Sequence, residues 1–299
     1  MAIAGKLSFI GLGAMGGPMV NRLLEAGFEV TVSDVNPNAV AAAVARGAIS
    51  AGNVEEASDA NDIVLVSLPT PAIVEAVAIG AGGVSEGGAK VFVDLSTTGP
   101  TVTRRIAASL SKRKIGYVDA PVSGGVAGAI NGRLAIMCSG DPATVELVRP
   151  MLKSIGNRIF DVGREPGLGQ VAKLANNLLS ATLIAATSEA LAFGVRSGLD
   201  PKQLIEIINA SSGRSYASEV VIPAAVLTET FDIGFRMELM HKDVKLCLAE
   251  AENVNMPMWL GSATGQFYNY AMSQGYAKAD VTAGAKIFAG WAGIQYRSV

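Results

Sequence analysis

Short apolar runs rich in β-branched residues alternate with Ala-rich segments through the first half of the chain. Such runs are typical of buried strands, and the segments between them have the length and pattern of helices. We expect strands at 6–10, 28–33, 62–68, 90–95, 116–120, 134–140 and 158–162, and helices at 14–26, 37–46, 71–79 and 100–112. This alternation predicts a mainly parallel sheet with helices on both faces. The closely spaced strands after residue 115 suggest an added edge of different direction.

After Gly167 the pattern becomes helical throughout. The segment Gln170–Val195 has no proline and a single glycine, and its apolar residues recur at helical spacing, which predicts one long, buried helix. Further helices are expected at 201–212, 217–227, 240–253, 257–273 and 280–293. The expected fold class is therefore α/β, with a doubly wound sheet in residues 1–164 and an all-α domain in residues 165–299. A length of 299 residues also favours two domains.

Charged residues are sparse, at 17% of the chain against about 25% in average soluble proteins. The longest uncharged stretch, 253–277, is interrupted by polar residues, glycine and proline, so the sequence predicts no membrane-spanning helix. The apolar surplus is better explained by surface buried in a large core or between subunits. We therefore expect a homo-oligomer, either a dimer or a tetramer.

Charge and cysteine content exclude several other classes of protein. A formal net charge of −2 without a basic stripe argues against a nucleic-acid partner. No secretory signal is visible at the N-terminus, and Cys138 and Cys247 lie too far apart in sequence to suggest a disulfide framework. His241 is the only histidine, so clustered metal ligands are lacking. We expect a cytoplasmic protein without a metal.

A glycine-rich loop follows the first predicted strand and opens the first predicted helix. In its sequence, Gly-Leu-Gly-Ala-Met-Gly, Gly11 suits a tight turn, Gly13 lets the backbone approach a pyrophosphate, and Gly16 allows close contact between helix and strand. Asp34 ends the next strand, where a carboxylate accepts the ribose hydroxyls of NAD and repels the 2′-phosphate of NADP. A Rossmann-type domain that prefers NAD, with NADP possible, is expected. The cofactor-binding residues of the loop are then Gly11, Leu12, Gly13, Ala14, Met15 and Gly16.

Three more loops leave strands at their C-terminal ends, where ligands bind in such sheets. Leu68-Pro69 and Ser96-Thr97-Thr98 suit either cofactor contact or ordinary turn and N-cap chemistry. The segment Ser123-Gly124-Gly125 offers a hydroxyl and unobstructed N–H groups for a carboxylate, and it equally suits a mobile surface loop. The spacing alone does not decide between these alternatives.

Two lysines are candidates for chemistry. Lys173 lies in the first turns of the long apolar helix, where desolvation disfavours the charged ammonium, and Asn177 follows one turn later on the same face. The alternative for Lys173 is a side chain that reaches solvent from the helix end. Lys242 is either a solvated helix charge or a cofactor contact. A histidine base would have to be His241, and the chain has no G-x-S-x-G sequence, so lysine chemistry remains by elimination.

Taken together, six segments of the chain resemble the β-hydroxyacid dehydrogenase family, which includes 3-hydroxyisobutyrate dehydrogenase and tartronate semialdehyde reductase. These segments are FIGLGAMGGPM (9–19), LPT (68–70), DLSTTGP (94–100), DAPVSGGVAGAINGRLAIM (119–137), GLGQVAKLANNLL (167–179) and HKD (241–243). The resemblance covers nearly the whole chain. One departure is Arg22, which stands where the family usually has an amide, and it affects packing beneath the glycine loop.

The resemblance implies a role for each candidate residue. Lys173 would be the catalytic acid/base, Asn177 would assist at the substrate, and Ser123, Gly124 and Gly125 would hold the substrate carboxylate. The expected cofactor-lining residues are Leu68, Pro69, Thr97 and Lys242. Residues 1–164 would bind the dinucleotide, and residues 165–299 would contact substrate and form the oligomer interface.

These expectations describe an NAD(P)-dependent oxidoreductase that acts on a short β-hydroxy acid or the matching semialdehyde. One alternative is a reductase of the same architecture for another semialdehyde or a sugar acid. A second alternative is a non-catalytic dinucleotide-binding module.

Overall fold

A computed structural model describes residues 6–296. The chain divides into two compact units, Met1–Lys173 and Leu174–Val299. Each unit is described by itself, and the second begins inside a helix that starts in the first.

One nine-stranded sheet forms the centre of the first unit. Its strands are β1 (Lys6–Ile10), β2 (Glu29–Ser33), β3 (Ile49–Ser50), β4 (Ile63–Val66), β5 (Val91–Asp94), β6 (Gly116–Asp119), β7 (Val122–Ser123), β8 (Leu134–Gly140) and β9 (Gly156–Gly163). The order across the sheet is β3-β2-β1-β4-β5-β6-β8-β7, and β9 pairs with β8. The pairs from β3 to β6 are parallel, whereas β8 runs antiparallel to both β6 and β7. The predicted mainly parallel sheet with an edge of different direction is confirmed.

Helices cover both faces of this sheet. They are α1 (Gly16–Glu25), α2 (Pro37–Val44), α3 (Val54–Ala60), α4 (Pro71–Ile79), α5 (Pro100–Lys112), α6 (Gly125–Ile130) and α7 (Pro142–Ile155). Successive strand residues point to opposite faces, so Leu65 packs with residues of α1 and α7, whereas Val64 and Val66 pack with residues of α4 and α5. The sheet is therefore doubly wound, with an apolar core on each face.

The long predicted helix is α8, Leu168–Arg196. By length and composition alone it could cross a membrane, and 44% of its most apolar window is buried inside the protein. Core helices of water-soluble proteins meet the same criteria, so one such helix is weak evidence for a membrane span.

The second unit is helical. After α8 it contains α9 (Pro201–Asn209), a π-type helix (Ala217–Val226), α10 (Met237–Asn253), α11 (Trp259–Ser273) and α12 (Gly284–Ala292), with short 3₁₀ turns at Tyr276–Lys278 and Val281–Ala283. One core cluster joins α8, α10 and α11 around the fully buried Tyr268. The helical character predicted after Gly167 is confirmed.

Candidate active site

The candidate loops of the first unit share one edge of the sheet. The carboxyl ends of parallel strands lie side by side, and backbone hydrogen bonds connect the start of each loop to the neighbouring strand. Gly11 N donates to Ser33 O, Ser67 N donates to Ile10 O, and Leu95 N donates to Val66 O. The glycine loop, Leu68-Pro69 and Ser96-Thr98 therefore lie next to one another at the carboxyl ends of β1, β4 and β5.

Each glycine of the first loop has a different environment. A Cβ on Gly11 would lie 2.3 Å from the carbonyl oxygen of Ser67, and its φ of +95° also requires glycine. A Cβ on Gly16 would lie 1.9 Å from the carbonyl oxygen of Gly11. A Cβ on Gly13 would meet nothing within 4 Å, so this position faces open space next to the start of α1. Tight packing around an open backbone cradle fits a dinucleotide pyrophosphate.

Asp34 is held against this loop. Its Oδ2 accepts a hydrogen bond from Leu12 N (2.5 Å), and its Oδ1 accepts one from Asn36 N (2.7 Å). The carboxylate is only partly buried, and the next side chain, Val35, is fully exposed. A negative charge at the end of β2, with no basic residue immediately after it, fits a ribose diol better than a 2′-phosphate.

The departure at Arg22 is accommodated within the first unit. Its Nη1 pairs with Glu25 Oε2 (2.6 Å), and its Nε lies 2.9 Å from the position that a Cβ on Gly132 would occupy. Gly132 also has a φ of +62°. The Arg22 side chain therefore packs against a glycine, which leaves space beside its guanidinium group.

The loop after β5 is folded back onto its own strand by Asp94. The fully buried carboxylate accepts hydrogen bonds from Ser96 N (2.8 Å), Thr98 Oγ1 (2.6 Å) and Tyr117 Oη (3.3 Å). The hydroxyl of Ser96 in turn accepts a hydrogen bond from Leu68 N (2.9 Å). Cofactor candidates Leu68 and Thr97 thus lie on loops that are braced together.

Cap chemistry is present in these loops as well. Thr70 Oγ1 accepts a hydrogen bond from Ile73 N (3.3 Å), and Pro71 occupies the first turn of α4. Thr70 and Pro71 therefore serve as the N-terminus of α4, while Leu68 and the exposed Pro69 precede the cap.

Ser123 lies on the short strand β7, and Gly124 and Gly125 lead into α6. Gly124 has a φ of +131° and Gly125 a φ of +64°, and a Cβ on Gly125 would meet nothing within 4 Å. Both glycines are exposed. The segment is ordered by pairing of β7 with β8, and it presents accessible backbone at the same end of the unit as the loop after β6.

Asp119, at the end of β6, caps the helix that carries Lys173. Its carboxylate accepts hydrogen bonds from Gly167 N (3.0 Å) and Gln170 N (3.1 Å), while Ser139 Oγ donates to it (2.6 Å) and accepts from Gly169 N (3.1 Å). A negative charge here also suits the positive end of the helix dipole. The first turn of α8 is therefore fixed by residues from the sheet and not by a local cap.

Burial disfavours the ionised form of both carboxyl groups in this region. Desolvation raises the pKa of Asp94, although hydrogen bonds from Thr98, Ser96 and Tyr117 partly oppose it. Desolvation likewise raises the pKa of Asp119 to about 6, against the hydrogen bonds from Ser139, Gly167 and Gln170. The two residues pair in register on β5 and β6, and the charge of Asp94 also raises the pKa of Asp119.

Lys173 and Asn177 lie one turn apart on α8. The lysine side chain is 8% exposed and that of Asn177 is 7% exposed, so neither extends into solvent. Lys173 lies three residues after Gln170, which is hydrogen-bonded to Asp119, and therefore about one helical turn beyond the contacts of Asp119. A buried lysine on a fixed helical turn has the constrained geometry that an acid/base group needs.

In the second unit, Asp243 contacts two of the candidate site residues, Asn177 and Lys242. Its Oδ2 accepts a hydrogen bond from Asn177 Nδ2 (2.6 Å), and its Oδ1 pairs with Lys242 Nζ (2.8 Å). Asp243 is 3% exposed, so its carboxylate is shielded from water, whereas the Lys242 side chain stays partly exposed. His241 Nε2 is hydrogen-bonded to Asn269 Oδ1 (2.7 Å) on the neighbouring helix.

The sequence-based reasoning missed three polar residues that order the site: Asp94, Asp119 and Gln170. Each lies within a segment already selected for another reason. The available signal was their type, because a carboxylate or amide at the end of a buried strand or helix needs partners there. Within residues 6–296, no group of three or more His, Cys, Asp or Glu side chains is placed to hold a metal ion.

A doubly wound sheet with a glycine loop, an open pyrophosphate cradle and an acidic residue at the end of β2 defines a dinucleotide-binding protein. Two family models agree. Residues 6–163 match the NAD-binding domain of 6-phosphogluconate dehydrogenase. Residues 167–288 match a domain described as the NAD-binding domain of NADP-dependent 3-hydroxyisobutyrate dehydrogenase.

Relatives resemble the chain over nearly its full length. A 2-(hydroxymethyl)glutarate dehydrogenase of Eubacterium barkeri is 40% identical, with 97% of this chain and 96% of the relative covered. An NAD-dependent L-serine dehydrogenase of Pseudomonas aeruginosa is 39% identical, with 95% and 97% covered. Among solved structures, a Mycobacterium tuberculosis 3-hydroxyisobutyrate dehydrogenase with L-serine has a TM-score of 0.86 at 30% identity, with 95% of this chain and 99% of that chain covered.

The chain belongs to the β-hydroxyacid dehydrogenase family and is an NAD(P)-dependent oxidoreductase. The predicted family and fold class are thereby confirmed. The roles of individual residues and the domain limits at 164/165 stay predictions.

Proposed function

We propose that the protein oxidises the hydroxyl group of a short β-hydroxy acid, or reduces the matching semialdehyde, with Lys173 as the general acid/base. The observation that carries this proposal is the burial of Lys173 on a turn of α8 that is hydrogen-bonded to the loops at the cofactor edge of the sheet. The relatives named as dehydrogenases of L-serine and of 2-(hydroxymethyl)glutarate support a substrate with a hydroxymethyl group and a carboxylate.

In this proposal the chain supplies binding, orientation and one proton acceptor. Gly11–Gly16 and Asp34 hold the dinucleotide, and Leu68, Pro69, Thr97 and Lys242 line it. Bound NAD supplies the two-electron acceptor for the hydrogen on the carbinol carbon. In the oxidative direction neutral Lys173 takes the hydroxyl proton, and in the reductive direction its ammonium returns that proton to the carbonyl oxygen.

Two further sets of residues orient the substrate in this proposal. Ser123 Oγ and the backbone N–H groups of Gly124 and Gly125 hold the substrate carboxylate. Asn177, whose Nδ2 donates to Asp243, keeps its amide in one orientation and assists at the substrate hydroxyl.

NAD is the proposed physiological cofactor because Asp34 places a carboxylate where NADP carries its 2′-phosphate. We also propose a cytoplasmic location and a homo-oligomer. The oligomer is supported by exposed apolar side chains of the second unit, among them Trp259 (84% exposed), Leu260 (76%) and Phe193 (75%).

An activity screen tests the proposed reaction. Purified protein is assayed with NAD or NADP and a panel of short hydroxy acids, including L-serine and 3-hydroxyisobutyrate, and in reverse with NADH and short semialdehydes. Turnover of at least one short β-hydroxy acid, with NAD preferred, is expected. Turnover confined to sugar acids, or no turnover of any panel member, would contradict the proposal.

A further inference from the structure

The side chain of Gln170 joins two parts of the first unit. Its Oε1 accepts hydrogen bonds from Thr98 N (2.9 Å) and Gly99 N (3.2 Å), and its Nε2 donates to Ser96 O (3.1 Å). Gln170 is fully buried. Each of these bonds is costly to break, because a buried polar group would lose its partner. The amide therefore holds the backbone of the loop after β5 in one position.

Gln170 is itself fixed within the same unit. Its backbone N–H donates to Asp119 Oδ2, so the backbone of Gln170 cannot shift without disturbing the cap of α8. Lys173 follows three positions later, which places it on the same side of the helix. A chain of hydrogen bonds thus runs from the loop that carries Thr97, through Gln170, to the turn that carries Lys173.

We propose that Gln170 is a positioning residue for the reaction. Its side chain would hold the cofactor-lining loop, residues 96–99, in a fixed position relative to Lys173. This inference rests on the proposed function, in which Thr97 lines the cofactor and Lys173 exchanges the proton. Proton transfer at Lys173 requires the substrate, the cofactor and the amine in one geometry. A displacement of about 1 Å in such an arrangement costs about 100-fold in rate.

Gln170→Met tests this inference, because methionine has a similar length and forms none of the three hydrogen bonds. We expect kcat to fall about 10- to 100-fold, with a smaller change in the Kd for NAD. The primary deuterium isotope effect on kcat should also rise. It is measured with L-serine or 3-hydroxyisobutyrate, whichever is oxidised faster, deuterated at the carbinol carbon. Gln203→Met, at an exposed position of α9, is the matched control and should leave kcat unchanged.

Gln170→Glu provides a readout that a merely structural role would not give. A neutral glutamic acid reproduces the amide pattern, because its carbonyl oxygen accepts and its hydroxyl donates to Ser96 O, whereas a carboxylate lacks the donor. Burial near Asp94, Tyr117 and Asp119 favours the neutral acid, and the Lys173 ammonium opposes it. We expect kcat of this variant, relative to wild type, to rise as pH falls from 8 to 6.

The inference is overturned if folded Gln170→Met keeps kcat within twofold of wild type, or if its isotope effect is unchanged. A pH profile of Gln170→Glu that parallels wild type would also overturn it. Lys173→Ala separates this inference from the proposed function. If Lys173→Ala retains turnover, the proposed function fails, and if it loses turnover while Gln170→Met does not, only the role of Gln170 fails.

Discussion

At the scale of single residues, the Asp34 carboxylate makes a structural contribution and has a second, proposed role in cofactor binding. Both oxygens accept backbone N–H groups, one from Leu12 in the glycine loop and one from Asn36. The same group places a negative charge where the ribose of a dinucleotide would lie. The hydrogen bonds order the loop, and in the proposed function the charge selects NAD over NADP.

Asp34→Asn tests the contribution of the charge, because the amide loses the charge and keeps one of the two acceptor oxygens. We expect the ratio of kcat/KM for NAD to that for NADP to fall about 10-fold or more, since each 1.4 kcal/mol of lost repulsion or lost binding is a factor of ten. The kcat with saturating NAD should change little. Steady-state kinetics with both cofactors measures the ratio, and a wild-type preference for NADP would contradict this assignment.

At the scale of secondary-structure elements, the start of α8 depends on a residue 48 positions earlier in the chain. Gly167 has no side chain with which to cap the helix, and Asp119 takes that role from the end of β6. A Cβ on Gly169 would lie 2.3 Å from Met137 O and 2.7 Å from Asp119 Oδ2. Glycine at this position therefore allows the helix to approach the sheet closely enough for the cap to form.

The raised pKa of Asp119 makes the stability of this arrangement depend on pH. The folded protein binds the proton more tightly than an ordinary aspartate, whose reference pKa is 3.8, because the folded-state pKa is about 6. The stabilisation by protonation is complete below about pH 4 and is lost as pH rises through 6. A shift of this size corresponds to about 3 kcal/mol at most.

Asp119→Asn removes this titration, so the difference in free energy of unfolding between wild type and variant should change with pH. We expect wild type to lose stability relative to Asp119→Asn between pH 4 and pH 6, with no further change above pH 7. Urea unfolding at several pH values measures the difference. A difference that is constant from pH 4 to pH 7 would show that Asp119 titrates normally.

Periodicity predicted the elements that repeat a clear pattern. The strands β1 and β8 and the helices α4 and α5 match their expected limits. It missed α7, for which no helix was expected between 140 and 158, although Val145, Val148 and Ile155 have helical spacing. Pro150 interrupts that pattern in the sequence, yet it lies inside the helix. The very short elements β3, β7 and α6 carry too few residues to show a period.

The sequence predicted some residues of the candidate site and missed others. Residues whose type is needed for binding or chemistry, such as the three loop glycines, Asp34 and Lys173, were selected from the sequence. The residue types of Asp119 and Gln170 indicate that they need partners, but these partners include backbone groups 48 and 72 positions away, so only the tertiary fold identifies them. The hydrogen bond from Asn177 to Asp243 is of the same kind, because it joins α8 to α10.

At the scale of the whole molecule, exposed apolar side chains cluster along one short stretch of the second unit. Val254, Met256, Trp259 and Leu260 are each more than half exposed and lie within seven consecutive residues. Single exposed apolar residues are ordinary, whereas several together indicate a surface that is covered by another molecule. A second copy of the chain is the partner that the proposed homo-oligomer supplies.

Trp259→Glu should therefore weaken self-association. We expect wild type to sediment as an oligomer and the variant to shift toward the monomer, with an unchanged circular dichroism spectrum, because a charge is costly to bury in an apolar interface. Leu147→Glu, at a 55% exposed position of α7 in the first unit, is the control and should sediment as wild type. A compact wild-type monomer at micromolar concentration would contradict the proposed oligomer.

The proposed reaction depends on the amine of Lys173, which would exchange the proton during oxidation of the substrate hydroxyl. The most direct measurement compares kcat and the Kd for NAD in wild type, Lys173→Ala and Lys173→Arg, with Lys202→Ala on exposed α9 surface as the control. We expect both Lys173 variants to lose about 100- to 10,000-fold in kcat while NAD binding, measured by calorimetry, changes little. Arginine fails because it stays protonated. Turnover in Lys173→Ala within tenfold of wild type would contradict the account.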